Sequence, residues 1–182
     1  MGTAVPIFLF LGDTMNKKTR FLTQSALIAA LYVALTYLQN FLLPGTTSMA
    51  IQFRLSEALC VLALFTPAAI PGLTPGCLIF NISYSHTLPL DFLLGTLATF
   101  LAVGGMYLTR RWTIKGYPII AMLLPAITNA LLVGWEISIY VGGGFFMNAL
   151  YVAIGEAAVL LIAGTALFYA IKARNLDAWL RT

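Results

Sequence analysis

The sequence predicts an all-α integral membrane protein, a bundle of six transmembrane helices with both termini in the cytoplasm. Three observations carry that expectation. Of 182 residues, 60% are hydrophobic and only 9% charged, and the mean hydropathy is +0.93. No soluble core needs that much apolar surface, so the solvent is a bilayer. The net charge of +4 and pI of about 9.2 would suggest nucleic acid in a soluble protein. Here cytoplasmic loops account for it, because they collect Lys and Arg. Lys17, Lys18, Arg20, Arg110, Arg111, Lys115, Lys172, Arg174 and Arg181 all fall at expected inner ends; of ten basic residues only Arg54 does not.

Residues 1–14 (MGTAVPIFLFLGDT) are apolar but lack the basic start of a signal peptide. They read as an N-terminal extension, and MNKKTRF from Met15 reads as an ordinary cytoplasmic start. Residues 15–182 then make one membrane domain. The first span is 21–38, held inside by the basic cluster before it. Residues 40–50, with Pro44 and Gly45, read as an external loop. As one helix, 52–84 would run about 50 Å, well beyond a hydrocarbon core of about 30 Å. Pro67, Pro71, Gly72, Pro75 and Gly76 divide it into spans 52–65 and 72–84. The remaining spans are 91–109, 117–135 and 148–171. A single crossing over 52–84 would throw Arg110, Arg111 and Lys115 to the exterior, which selects two crossings and six helices. Aromatic belts agree, with Trp112 and Tyr117 at the inner boundary and Tyr84 and Trp135 at the outer one. Trp179 falls beyond the last span, on a short interfacial segment.

The polar residues can then be given depths. Arg54 and Glu57 stand three apart at the mouth of an uncharged run, and so are neighbours on one helix face. Either they form an interfacial pair that snorkels, or they belong to a ligand site. Glu57 lies about 8 Å into the second span and Glu156 about 12 Å into the sixth. Asn81 is near the outer end of the third span, Asp91 opens the fourth, and Glu136 closes the fifth. Asn129 lies about 10 Å below Glu136. Four carboxylates thus collect in the outer half, which argues for capture of an external solute. A lone amide such as Asn129 can simply cross-link helices, at about 0.6 kcal/mol per hydrogen bond. Glu57 and Glu156 together, with Arg54 as the nearby cation, suit a ligand that donates hydrogen bonds or carries positive charge. The third and fifth spans, interrupted by Pro71, Pro75, Pro125 and Gly134, are the kind that line such sites. Ala26, Ala30 and Ala34 give the first span a smooth strip, for packing within the bundle or for a partner helix.

Enzyme readings fare badly. Ser83, Ser85, His86 and Asp91 hold the letters of a triad, but they crowd one loop without a nucleophile elbow. The GxxxxGK[ST] phosphate loop is absent, and Gly142–Gly144 reads as a flexible external loop. Cys60 and Cys77 have no metal-ligand spacing and read as small packing residues. No cofactor is expected.

The stretches IQFRLSEAL (51–59), IPGLTPGCLIFN (70–81) and DFLLGTLAT (91–99) resemble the QueT family over roughly 15–172. These are queuosine-precursor transporters, substrate-binding S components of energy-coupling factor (ECF) importers. The resemblance implies a six-helix, multi-pass subunit of the cell membrane that opens outward and binds a 7-deazaguanine such as preQ1, preQ0 or queuine. It implies docking of the Ala26–Ala30–Ala34 strip on a T component that carries two ATPases. On this basis Glu57 is the first candidate for the guanine-type edge and Glu156 the second. Glu136 or Asp91 would pair with a cationic aminomethyl group. Asn81 or Asn129 would read the carbonyl and ring nitrogen, and Trp135, Tyr84 or Tyr140 would stack on the ring. Rival readings are an S component for another vitamin-like solute, a stand-alone ion-coupled carrier, and a membrane enzyme or scaffold.

Overall fold

A 3-10 helix, Leu55–Leu64, runs through the centre of the bundle. The computed structural model describes residues 16–46, 53–83 and 90–180. Around the central segment stand α1 (Lys17–Leu42), α2 (Ala69–Ser83), α3 (Asp91–Thr109), α4 (Ile119–Tyr140), α5 (Phe145–Val159) and α6 (Thr165–Ala173), and α7 (Leu176–Leu180) follows. A π-helical turn, Leu160–Gly164, joins α5 to α6. Four stretches are long and apolar enough to cross a membrane: α1, α3, α4 and the continuous rod Phe145–Ala173. Two shorter apolar helices, the 3-10 segment and α2, come in addition. The chain is a helical membrane protein, and among the described residues its extended pairing is one isolated bridge, Ile114 with Tyr117.

The expectation of an α-helix over 52–65 needs correction, because the described part of that run is 3-10. A 3-10 helix is narrower than an α-helix and rises about 2.0 Å per residue against 1.5 Å. Its ten residues therefore reach about 20 Å where an α-helix would reach 15 Å. Ser56, Ala58, Cys60 and Ala63 are small, and all are buried, so neighbours close in on those positions. The segment touches each of α1 to α6.

α1 is longer at both ends than the expected span 21–38. Asn16 caps it, its side chain accepting from the Lys18 N–H at 3.2 Å. It continues past Gln39 and Asn40, because no Gly or Pro intervenes before Pro44. One face, with Gln24, Ser25, Ile28, Tyr32, Thr36, Gln39 and Asn40, is buried. Ala26, Ala30 and Ala34 lie on the opposite, exposed face.

Close helix approach inside the bundle uses Gly72 and Gly76 instead. A Cβ on Gly72 would come within 2.9 Å of Ile28 and of the Ser25 carbonyl, and one on Gly76 within 3.1 Å of Tyr32 and the Ala29 carbonyl. Those glycines stand inside α2, which begins at Ala69, three residues earlier than expected; the break lies at Phe65–Ala68. Pro71 is tolerated there because a first turn has no N–H bonds to lose. Between α4 and α5, Gly142, Gly143 and Gly144 all have positive φ (91°, 87° and 79°). The turn is pinned by Asn148, whose Nδ2 donates to the Gly142 carbonyl at 2.7 Å. It is a hydrogen-bonded corner where the sequence suggests a loop.

Candidate functional site

Arg54 stands just ahead of the 3-10 helix in extended backbone (φ −100°, ψ 100°). Its carbonyl accepts from the Glu57 N–H at 2.9 Å, opening the first 3-10 turn, while its side chain turns to α2 and α3. The guanidinium is buried at 4% exposure. Its Nη2 donates to Asp91 Oδ2 at 2.8 Å in an ion pair, and its Nη1 donates to Asn81 Oδ1 at 3.3 Å. Asn81 Nδ2 donates to the Asp91 carbonyl at 2.9 Å and to Cys77 Sγ at 3.3 Å. Thr99 Oγ1 also donates to Cys77 Sγ, at 3.3 Å. The 3-10 segment, α2 and α3 are thus tied at one end of the bundle.

α1 closes the same end from the other side. Gln39 Oε1 accepts from the Leu55 N–H at 2.7 Å, and its Nε2 donates to the Phe53 carbonyl. This one amide pairs both polar groups of the backbone entering the central helix. Thr36 Oγ1 donates to Ser56 Oγ at 2.7 Å.

Glu57 sits one turn into the 3-10 segment and is 1% exposed. Tyr32 Oη donates to its Oε1 at 2.6 Å and Cys60 Sγ to its Oε2 at 3.1 Å. Side chains at i and i+3 eclipse in a 3-10 helix, which brings Cys60 under Glu57. Both oxygens therefore already have partners.

Two other glutamates are in the opposite condition. Glu136 is fully buried; its Oε1 accepts from the Leu90 N–H at 3.1 Å, while Oε2 has no partner. Glu156 is 1% exposed and its Oε2 is likewise unpartnered. Asp91 Oδ1 is a third such atom. Buried polar atoms are almost always paired, so three unpaired carboxylate oxygens mark a place where something else supplies donors. Glu156 has Glu57 and Arg54 as charged neighbours, and Glu136 has Asp91 and Arg54. Four carboxylates and one guanidinium thus share the polar interior.

The remaining candidates separate. Asn129 is buried on the face of α4 that carries Glu136. Trp135 and Tyr140 are 47% and 46% exposed, on the outside of α4, and are not brought together with the buried carboxylates. Tyr84 lies outside the described residues. Tyr32, Cys60, Cys77 and Thr99 were not singled out as site residues by sequence reasoning. The stripe Gln24–Ile28–Tyr32–Thr36, recurring every four residues opposite the alanines, is the signal that would have pointed to Tyr32. The cysteines gave none beyond being buried.

Residues 22–173 match the QueT transporter family. The chain belongs to the QueT family. Neither a curated protein nor a solved structure matches it. As a QueT-family transporter it has recognition and passage as the chemistry to be explained.

Proposed function

We propose that this QueT-family chain is the substrate-binding S component of an ATP-driven ECF importer, and that it captures a 7-deazaguanine queuosine precursor from outside the cell. The observation that carries the reading is the set of unpartnered buried carboxylate oxygens on Asp91, Glu136 and Glu156. A guanine-type edge presents a ring N–H beside an amino group, and a carboxylate accepts from both. Glu156 and Glu57 serve that edge, with Glu156 holding the unused oxygen. Asn81, Asn129 and Arg54 complete the polar wall, with Trp135, Tyr140 or Tyr84 as the proposed ring-stacking group.

The chain crosses the cell membrane six times, the 3-10 segment and α2 making the second and third crossings, with both termini in the cytoplasm. A reach of about 20 Å in the 3-10 segment supports its crossing much of the core. Ala26, Ala30 and Ala34 form the docking strip for a T component that carries two ATPases. Their exposure supports this, since α1 already packs on Gly72 and Gly76 through its other face.

Mass spectrometry of small molecules and proteins that co-purify with the chain tests the reading. A 7-deazaguanine together with a T component and paired ATPases is the expected result. A different vitamin-like solute would keep the S-component role and overturn the substrate.

A further inference from the structure

The unpaired oxygens are not equivalent. Glu136 Oε1 is held by the Leu90 N–H at 3.1 Å, and the next residue is Asp91, whose Oδ2 is held by Arg54 at 2.8 Å. Each carboxylate thus has one oxygen anchored and one, Glu136 Oε2 and Asp91 Oδ1, buried without a donor. Both residues are more than nine-tenths buried. Gly95 keeps the Asp91 oxygen clear, because a Cβ there would lie 2.3 Å from Oδ1. Among the described residues Arg54 is their cationic neighbour, and it binds Asp91 through Oδ2 rather than Oδ1.

We propose that Asp91 and Glu136 form an ammonium-binding pole that makes this site select an amine-bearing 7-deazaguanine over its nitrile counterpart. The inference rests on the substrate reading above. A primary ammonium has three N–H donors and one positive charge, so it can satisfy both oxygens and offset their charge. A nitrile is an acceptor only. It would face two acceptors, leaving both oxygens unpaired and the buried negative charge uncompensated. A site built to pair with a donor rejects an analogue that lacks it far more strongly than an apolar pocket rejects a change of shape.

Calorimetric titration of the purified full chain in lipid nanodiscs, with 7-aminomethyl- and 7-cyano-7-deazaguanine as probes, tests this. The wild type should favour the amine on the order of 100-fold. Glu136→Gln keeps the Oε1 that accepts from Leu90 but places an amide where Oε2 stood. It should lower amine affinity at least ~10-fold and leave nitrile affinity within ~3-fold, and retained nitrile binding also reports that the variant is folded. Equal wild-type affinities would overturn the proposal, as would a variant that weakens both probes alike or neither. The wild-type ratio decides the matter even if Glu136→Gln does not fold. Binding of neither probe by wild type would instead fail the substrate reading itself.

Discussion

Tyr32 of α1 donates to Glu57 of the central 3-10 helix across 2.6 Å, with both side chains almost fully buried. The bond joins the buried polar stripe of α1 to the carboxylate that the sequence ranks first. It means that Glu57 is held in place before any ligand arrives.

Tyr32→Phe removes that donor without changing shape. One oxygen of Glu57 is then buried without its partner, a loss of about 1–3 kcal/mol. Thermal unfolding in detergent should show a lower midpoint for the variant. An unchanged midpoint would mean that the hydroxyl contributes nothing to stability.

Glu57→Gln keeps one acceptor and replaces the other with an amide N–H₂ that faces a donor. If Glu57 reads the ring edge, affinity for every 7-deazaguanine should fall by about 2–5 kcal/mol. Wild-type affinity in the variant would confine Glu57 to bracing and leave recognition to Glu156.

Two glycines of α3 make a matched pair. A Cβ at Gly95 would lie 2.3 Å from Asp91 Oδ1 and 2.8 Å from Asn81 Nδ2, whereas one at Gly104 meets nothing within 4 Å. Gly95→Ala should therefore cost about 1–3 kcal/mol through overpacking, and more if the Arg54–Asp91 pair opens. Gly104→Ala should be neutral or gain up to about 1 kcal/mol, since Ala is the better helix former. Equal melting shifts for the two would contradict the packing around Asp91.

Much of this architecture was legible because apolar runs, prolines and basic clusters report directly on length and breaks. The fourth span matches α3 to the residue, Asp91–Thr109, since Asp91 and Arg110 bound an uninterrupted apolar run. The buried carboxylates were legible too, because charge within a greasy span is rare. The 3-10 geometry was not, since a segment whose polar residues, Ser56 and Glu57, are adjacent carries no periodicity that separates 3.0 from 3.6 residues per turn. That change of period also hid the placing of Cys60 under Glu57, and the extended backbone at Arg54 hid its pairing with Asp91. Trp135 is adjacent in sequence to buried Glu136 but about 100° away around the helix, so proximity along the chain misled.

The alanine strip yields a separable outcome. Ala30→Leu or Ala34→Trp adds bulk to an exposed face of α1 and touches none of the buried polar side chains. Substrate binding by the isolated subunit should survive while complex formation and transport fail. If binding collapses as well, the strip serves internal packing and the docking role is wrong.

Energy and direction give the last prediction. The sequence has no GxxxxGK[ST] phosphate loop, and binding alone cannot concentrate a solute, because a ligand shifts an equilibrium only by its differential affinity for two states. Net uptake should then require the T component and ATP hydrolysed by its partners. The subunit alone in liposomes, and then the full complex, can be followed with labelled preQ1 and ATP on the ATPase side. Accumulation is expected with the complex and ATP, and only equilibration or retention with the subunit alone. ATP-independent accumulation against a gradient by the lone subunit would sink the S-component reading. An ion-coupled carrier would then stand in its place, and Glu156, buried with an unpaired oxygen and with Glu57 as a charged neighbour, would be the first residue to neutralise.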